Sequence, residues 1–346
     1  MRRTELVFER PERVFAHEPP EVRGRARDDV RLLVTRPDGH HHARFQDLPR
    51  FLHAGDLLVV NESAAIPASL PADGSLGPIL LNLCTRFRSD LWIAEPRWSA
   101  GKPGPLPIEP DQELRIGSAT ARLLAPYPGI PRLWFALANR PFESIIAEYG
   151  GPIHYGYTDA WPMDTYQTLF SRIPGSAEMP SAARPITARI REQLERAGVR
   201  IAPVLLHTGV SSLEIETDTV EAQAIYPEPF AIPVDTADAV NRTHMNGDRV
   251  IAVGTTVVRA LESAWTPEGL RPRTGFTRLF VNPDRGVHSV DGLLTGFHDP
   301  VTSHLALLTA FMGIDRVRDA YAEAIRAGYL WHEFGDSHLV IRQRDR

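Results

Sequence analysis

Up to about Ala138 the chain alternates short apolar runs with turn residues, and beyond it longer runs with helical spacing take over. "VRLLVTRPDGHHHARF" reads as strand, Asp-Gly turn and strand. "DLPRFLHAGDLLVVNES" adds a short helix or turn and an apolar strand, Leu57 to Val60. From Ile66 to Ala138 the runs "PILLNLCTRF", "LWIAEP", "ELRIG", "TARLLAPY" and "RLWFALA" are separated by Gly/Pro punctuation, without a sustained 3.6 period. This texture predicts a small antiparallel β domain, residues 66–138, inserted into a larger domain made of residues 1–65 and 139–346.

Helical signals return at "NRPFESIIAEYGG", where Asn139 can cap, Pro141 suits the first turn and Gly150 can end the helix. A second helix is expected over Ala188 to Ala197, stopping at Gly198 before the strand "VRIAPVLLH". "TADAVNRTHMNG" predicts a third, ahead of the strand Val250 to Val253. Then come "VGTTVVRALES", a strand "TRLFV", helices around "VTSHLALLTAFMG" and "RVRDAYAEAIRAG", and "YLWHEFGDSHLVI", which reads as a hairpin across Gly335 and Asp336. The predicted fold class is α/β, with a mixed sheet in the large domain.

The chain has 346 residues, which favours two domains, and an apolar share of 43% supports ordinary cores. No apolar run nears the roughly 18 residues that span a bilayer. The charged start "MRRTELVFERPERVF" has no apolar core of a secretory signal, so a cytoplasmic protein with no membrane partner is expected. Cys84 is the single cysteine, which excludes an internal disulfide and a cysteine-rich metal site. Lys102, in the loop-like "SAGKPGPLP", is the one lysine among 38 basic residues, so a buried Schiff-base lysine is not expected. A net charge of −5 gives no global attraction to phosphate backbones.

Candidate chemistry is scattered. The triplet His40 to His42 lacks a matching carboxylate spacing and reads as a solvated loop rather than a metal site. His207 ends an apolar strand just before Thr208 and Gly209, and carboxyl ends of strands line ligand crevices in α/β sheets. A satisfied structural histidine is the equal alternative there. His298, beside Asp299 in "TGFHDP", is a titratable group suited to proton transfer, and Asp336 fits simple turn chemistry. Arg259 and Glu262, three apart on one helix, suit a surface ion pair as well as a site. In "VGTTVVRALES" the strand–Gly–Thr–Thr–helix turn leaves N–H groups free at a helix start, with a threonine cap as the default and a polar ligand as the alternative.

Taken in order, "RDDVRLLV", "LPRFLHAGDLLVVNES", "IPASL", "DTYQTLF", "VGTTVVRALES", "VDGLLTGFHDP", "AYAEAI" and "YLWHEFGDSHLVI" resemble one family, the S-adenosylmethionine:tRNA ribosyltransferase-isomerases of queuosine biosynthesis. The resemblance runs from about residue 25 to the C-terminus. It implies an α/β domain with a β-barrel-like insertion, and transfer of the ribosyl part of S-adenosylmethionine to the aminomethyl group of a 7-deazaguanine in tRNA. The sugar is isomerised to an epoxycyclopentanediol, and adenine and methionine leave. The sulfonium acidifies the ribose 5′ protons, so a modest base suffices and the step needs no metal. Under this resemblance His298, His207 and Asp336 are the catalytic candidates. Asp28, Asn61, Tyr166, Gln167, Glu228, Gly254, Thr255, Thr256, Arg259 and Glu262 are the candidates for binding substrate. Where the family pattern has cations, this chain has Ala64, Ser69, Thr165 and Val301, and those losses remove possible phosphate contacts to tRNA. A small-molecule acceptor, or a non-catalytic binding protein on the same scaffold, are the alternatives.

Overall fold

The structure is a computed structural model that describes residues 1–99, 106–154, 156, 158–210 and 214–342. Lys102 lies outside the described residues. Among them, nine strands form one sheet in the order Arg273–Thr277, Glu228–Ile232, Arg200–Leu206, Leu57–Asn61, Val250–Val253, Gly292–Thr295, Ser337–Ile341, Arg31–Arg36 and Gly39–Arg44. The four strands from Arg200 to Thr295 in that order run parallel, and the flanking pairs supply the antiparallel contacts of a mixed sheet. Their carboxyl ends, at Leu206, Asn61, Val253 and Thr295, share one edge, where Glu228 and Ser337 also begin their strands.

Period-two alternation divides the core. Leu57 and Val59 face one cluster with Val257, Leu261, Leu305 and Tyr321, whereas Leu58 and Val60 face another with Ile190 and Leu194. Helices α3 (Val234–Met245), α4 (Thr255–Ala264), α5 (Ser303–Met312) and α6 (Ile314–Arg326) contribute to the first side, and α2 (Ala188–Arg196) to the second. A sheet covered on both faces needs strands without a solvated side, and each fully buried Leu or Val there contributes about 1.5–3 kcal/mol.

Six further strands between Ser69 and Ala138 close into an antiparallel barrel. Its interior holds Leu70, Leu81, Leu114 and Leu123, and Phe142 and Ile145 of α1 (Phe142–Tyr149) join that cluster. Gly150 ends α1 because the chain passes so close to Pro67 that a Cβ would lie 2.3 Å from its carbonyl oxygen. The α/β class with a mixed sheet and a small barrel is as the sequence led us to expect. No helix among the described residues is long and apolar enough to cross a membrane.

Several local expectations need correction. Asn139 does not cap α1: its side-chain oxygen accepts from the Thr120 N–H, and the helix starts one turn edge later behind Pro141. "TRLFV" is not a strand, because the Arg273–Thr277 strand ends where its partner begins, with Thr277 opposite Glu228. "YLWHEFGDSHLVI" is not a hairpin. Both edges of Ser337–Ile341 are taken by Gly292–Thr295 and Arg31–Arg36, while Trp331 makes a bridge with Phe15. The histidine triplet lies on a strand rather than a loop, and His40 and His42, on one face by the strand period, meet Asp319 and Glu323 of α6.

Candidate active site

A cleft of about 1600 Å³ lies between the barrel wall and the carboxyl ends of the parallel strands. From the sheet side come Thr208, Gly254, Thr255, Thr256, Thr295 and the segment Gly296–Asp299; from the barrel come Asn82, Glu95, Arg97, Trp98, Arg132 and Trp134. This is the crevice that open α/β sheets offer to ligands.

Gly254 gives the cleft its sharpest turn. Its φ of 97° lies in the region open to glycine, so the chain leaves the Val250–Val253 strand and enters α4 within one residue. Neither threonine caps the helix, because Gly254 holds the N-cap position and no side chain bonds there. Thr255 and Thr256 instead line the cleft, with the Thr256 hydroxyl 3.5 Å from the Asn61 amide nitrogen. The default capping expectation is therefore corrected, and the helix start faces the cavity.

His298 sits on the floor. Its Nε2 is 2.8 Å from the Thr295 hydroxyl, its backbone N–H donates to the Tyr321 oxygen, and its carbonyl accepts from Trp331 Nε1. These three contacts fix both the ring and its backbone. Burial, reinforced by the nearby His304, His338 and His332, holds the imidazole well below the usual histidine range, so it is neutral at physiological pH. The His304 ring lies 4.8 Å away and is pushed down to about 4, again mainly by burial. His332, held at about 3 by burial and Arg10, lines the same wall with a φ of 76°.

A small chamber of about 30 Å³ adjoins the cleft, walled by Glu228, Arg259, Thr255, Thr256, Tyr226 and His304. Arg259 donates through Nη1 to Glu228 and through Nε to the Leu279 carbonyl, while Glu228 Oε1 accepts from the Gly209 N–H. Arg259 and Glu262 thus do not pair with each other.

Of the sequence-predicted residues, His298, Tyr166, Gly254, Thr255 and Thr256 line the cleft, and Glu228 and Arg259 line the chamber. The other six have their polar atoms committed to the fold. His207 is bonded through Nδ1 to Ser63 at 2.7 Å, and burial lowers its pKa. Asn61 ties Leu206 and Ser63 together, and Gln167 exchanges two bonds with the Ala65 backbone. Asp336 accepts from the Arg31 and Leu330 N–H groups, so it joins the start of the first strand to the loop before the last. Burial raises its pKa despite those bonds. Asp28 accepts from Gln46, Thr187 and Arg189. Glu262 accepts from the Ser289 N–H and hydroxyl, the His288 N–H and Arg285. Burial pushes Asp28 and Glu262 up, but these bonds outweigh it and leave both low.

Sequence reasoning missed His304, His332 and the polar barrel wall. For the wall a signal existed: "LWIAEPRW" sets a glutamate inside an apolar strand, where burial of a charge calls for partners. Ala64, Ser69 and Thr165 sit on or near the segments beside the cleft, and Val301 is buried with a φ of 59°, an uncommon state for a β-branched residue.

A closed barrel over the carboxyl-end crevice of a mixed sheet, with a neutral histidine on its floor, defines a two-part α/β ligand-binding architecture. A family model described as "Queuosine biosynthesis protein" matches residues 3–340, and the chain belongs to that family. It is similar to the S-adenosylmethionine:tRNA ribosyltransferase-isomerase of Moorella thermoacetica, at 34% identity over 99% of this chain and 100% of that protein. The protein of the same name from Thermus thermophilus is 36% identical over 94% of this chain and 97% of its own length. The crystal structure of an S-adenosylmethionine tRNA ribosyltransferase from Thermotoga maritima superposes with a TM-score of 0.55 at 27% identity, covering 97% of this chain and 100% of that one.

Proposed function

We propose that this chain is an enzyme that transfers the ribosyl part of S-adenosylmethionine to the aminomethyl group of a 7-deazaguanine in tRNA. It isomerises that sugar to an epoxycyclopentanediol and releases adenine and methionine. Relatives so named align along essentially their full length, which favours a tRNA acceptor over a small molecule and an enzyme over a binding scaffold. Work on tRNA puts the protein in the cytoplasm.

The observation that carries the reading is the cleft with its neutral imidazole. At about 1600 Å³ it exceeds the roughly 300–1,000 Å³ of a usual small-molecule site, leaving room for both donor and acceptor base. The positively charged sulfur makes a 5′ hydrogen of the attached ribose acidic. His298, unprotonated and oriented by Thr295, takes that proton, and His304 beside it limits how far the resulting charge is welcomed. The carbanion left on sulfur-bound carbon starts the rearrangement in which the sugar's bond to adenine breaks. Gly254–Thr256 line the nucleoside, and the Glu228–Arg259 pair walls the chamber beside it. Positioned proton transfer of this kind contributes about 100- to 10,000-fold.

The test mixes protein, S-adenosylmethionine and an anticodon stem-loop carrying the aminomethyl base, and follows products by mass. Adenine and methionine are expected in equal amounts, only with the acceptor, and at a rate that falls steeply with salt. Donor binding without either product would overturn the reading.

A further inference from the structure

The barrel wall carries polar groups that the steps above leave unused. Asn82 and Glu95 face each other across the paired strands Gly77–Arg86 and Leu91–Trp98, and both line the cleft. They are 3% and 5% exposed. The Asn82 amide oxygen and the Glu95 Oε2 atom have no hydrogen-bond partner, whereas Glu95 Oε1 accepts from Arg132. Arg97 stands 3.7 Å from Oε2, beyond hydrogen-bond reach. Native folds seldom leave two adjacent buried acceptors without donors, and here both belong to residues of the cleft wall.

The geometry points to this patch as the reader of the acceptor base. A carboxylate oxygen and an amide oxygen side by side match a planar edge with a ring N–H next to an exocyclic amine, the edge of a 2-amino-6-oxo purine. The guanidinium groups of Arg97 and Arg132, flanking the carboxylate, suit the oxo group at the end of that edge. An adenine-type edge brings a ring lone pair against the carboxylate and is repelled. Trp98 and Trp134 line the same wall and add apolar surface to it. The inference rests on the acceptor reading above and adds the side chains that enforce it.

Two anticodon stem-loops test it, one with 7-aminomethyl-7-deazaguanine and one with the same base lacking the 2-amino group. Wild type is expected to prefer the first by about 100-fold or more in kcat/KM, because a site built to bond an amine rejects the analogue without it. Glu95→Gln should lose about 100-fold on the first acceptor and narrow the preference below about 10-fold, with donor Kd unchanged. Asn82→Ala, which removes no hydrogen bond of the fold, should narrow it too and serves if Glu95→Gln fails to fold. Preference retained in a folded variant, or weakened donor binding with intact preference, overturns the inference alone. A wild-type protein inactive on both stem-loops overturns the reaction itself.

Discussion

At His298 two requirements oppose each other, since a base must be free of its proton and yet attract one. Burial settles the first, because the ring is neutral across the physiological range. A rate that needs the unprotonated ring falls as pH drops through its pKa, so the acid limb of kcat is expected well below pH 6.5. A limb at or above 6.5 would remove His298 from the proton step. His298→Ala is expected to cut adenine release by about 100-fold or more, while circular dichroism stays unchanged. His298 was legible in "TGFHDP" as a titratable loop residue, but nothing in the sequence said that His304 and His332 would stand beside it. Residues 298, 304 and 332 share the cleft because α5 and the last loop converge on one strand end.

Single buried carboxylates fix whole elements here. Glu262 binds α4 to the backbone at His288 and Ser289, and its side chain is fully enclosed. Removing one partner of such a knot leaves buried donors unpaired, so Glu262→Ala should cost about 3–5 kcal/mol in urea unfolding. Asp28 does the same for α2, holding Thr187, which also caps that helix at the Ile190 N–H. Asp28→Asn is expected to lower stability by about 1–3 kcal/mol with donor Kd unchanged, and a large loss of donor affinity in a stable variant would return Asp28 to the site. The sequence marked both residues by type and position. A carboxylate clamped by backbone N–H groups and one facing a ligand use the same letters, and only the count of partners separates them. The uncapped start of α4 departs from its sequence pattern for a related reason. Threonines after a glycine suit a cap, but the turn at Gly254 carries their side chains toward the cleft.

For the molecule as a whole, buried histidines set the acid limit of stability. His338 lies at about 3, mainly through burial, with its ring stacked on Phe297 and its Nε2 bonded to Thr35. In the unfolded chain it protonates near 6.5, so between that value and about 3 the unfolded state binds the extra proton. The stability this neutral ring supports is present above pH 6.5 and is lost as pH falls, by about 2 kcal/mol between pH 7 and 5. His338→Phe should flatten the difference between urea curves at those two pH values by that amount, and an unchanged difference would assign the acid loss to other groups. By itself the sequence determined the α/β class, the run of barrel strands, most helices and the family, because period, punctuation and collinear motifs are local signals. Only the tertiary structure decided which polar residues meet. His298 and Glu95 reach one cleft, and Arg259 the chamber beside it, through strand order and barrel closure, whereas Asp336 and Glu262 turn inward to buried N–H groups, and that choice is made by packing across distant segments.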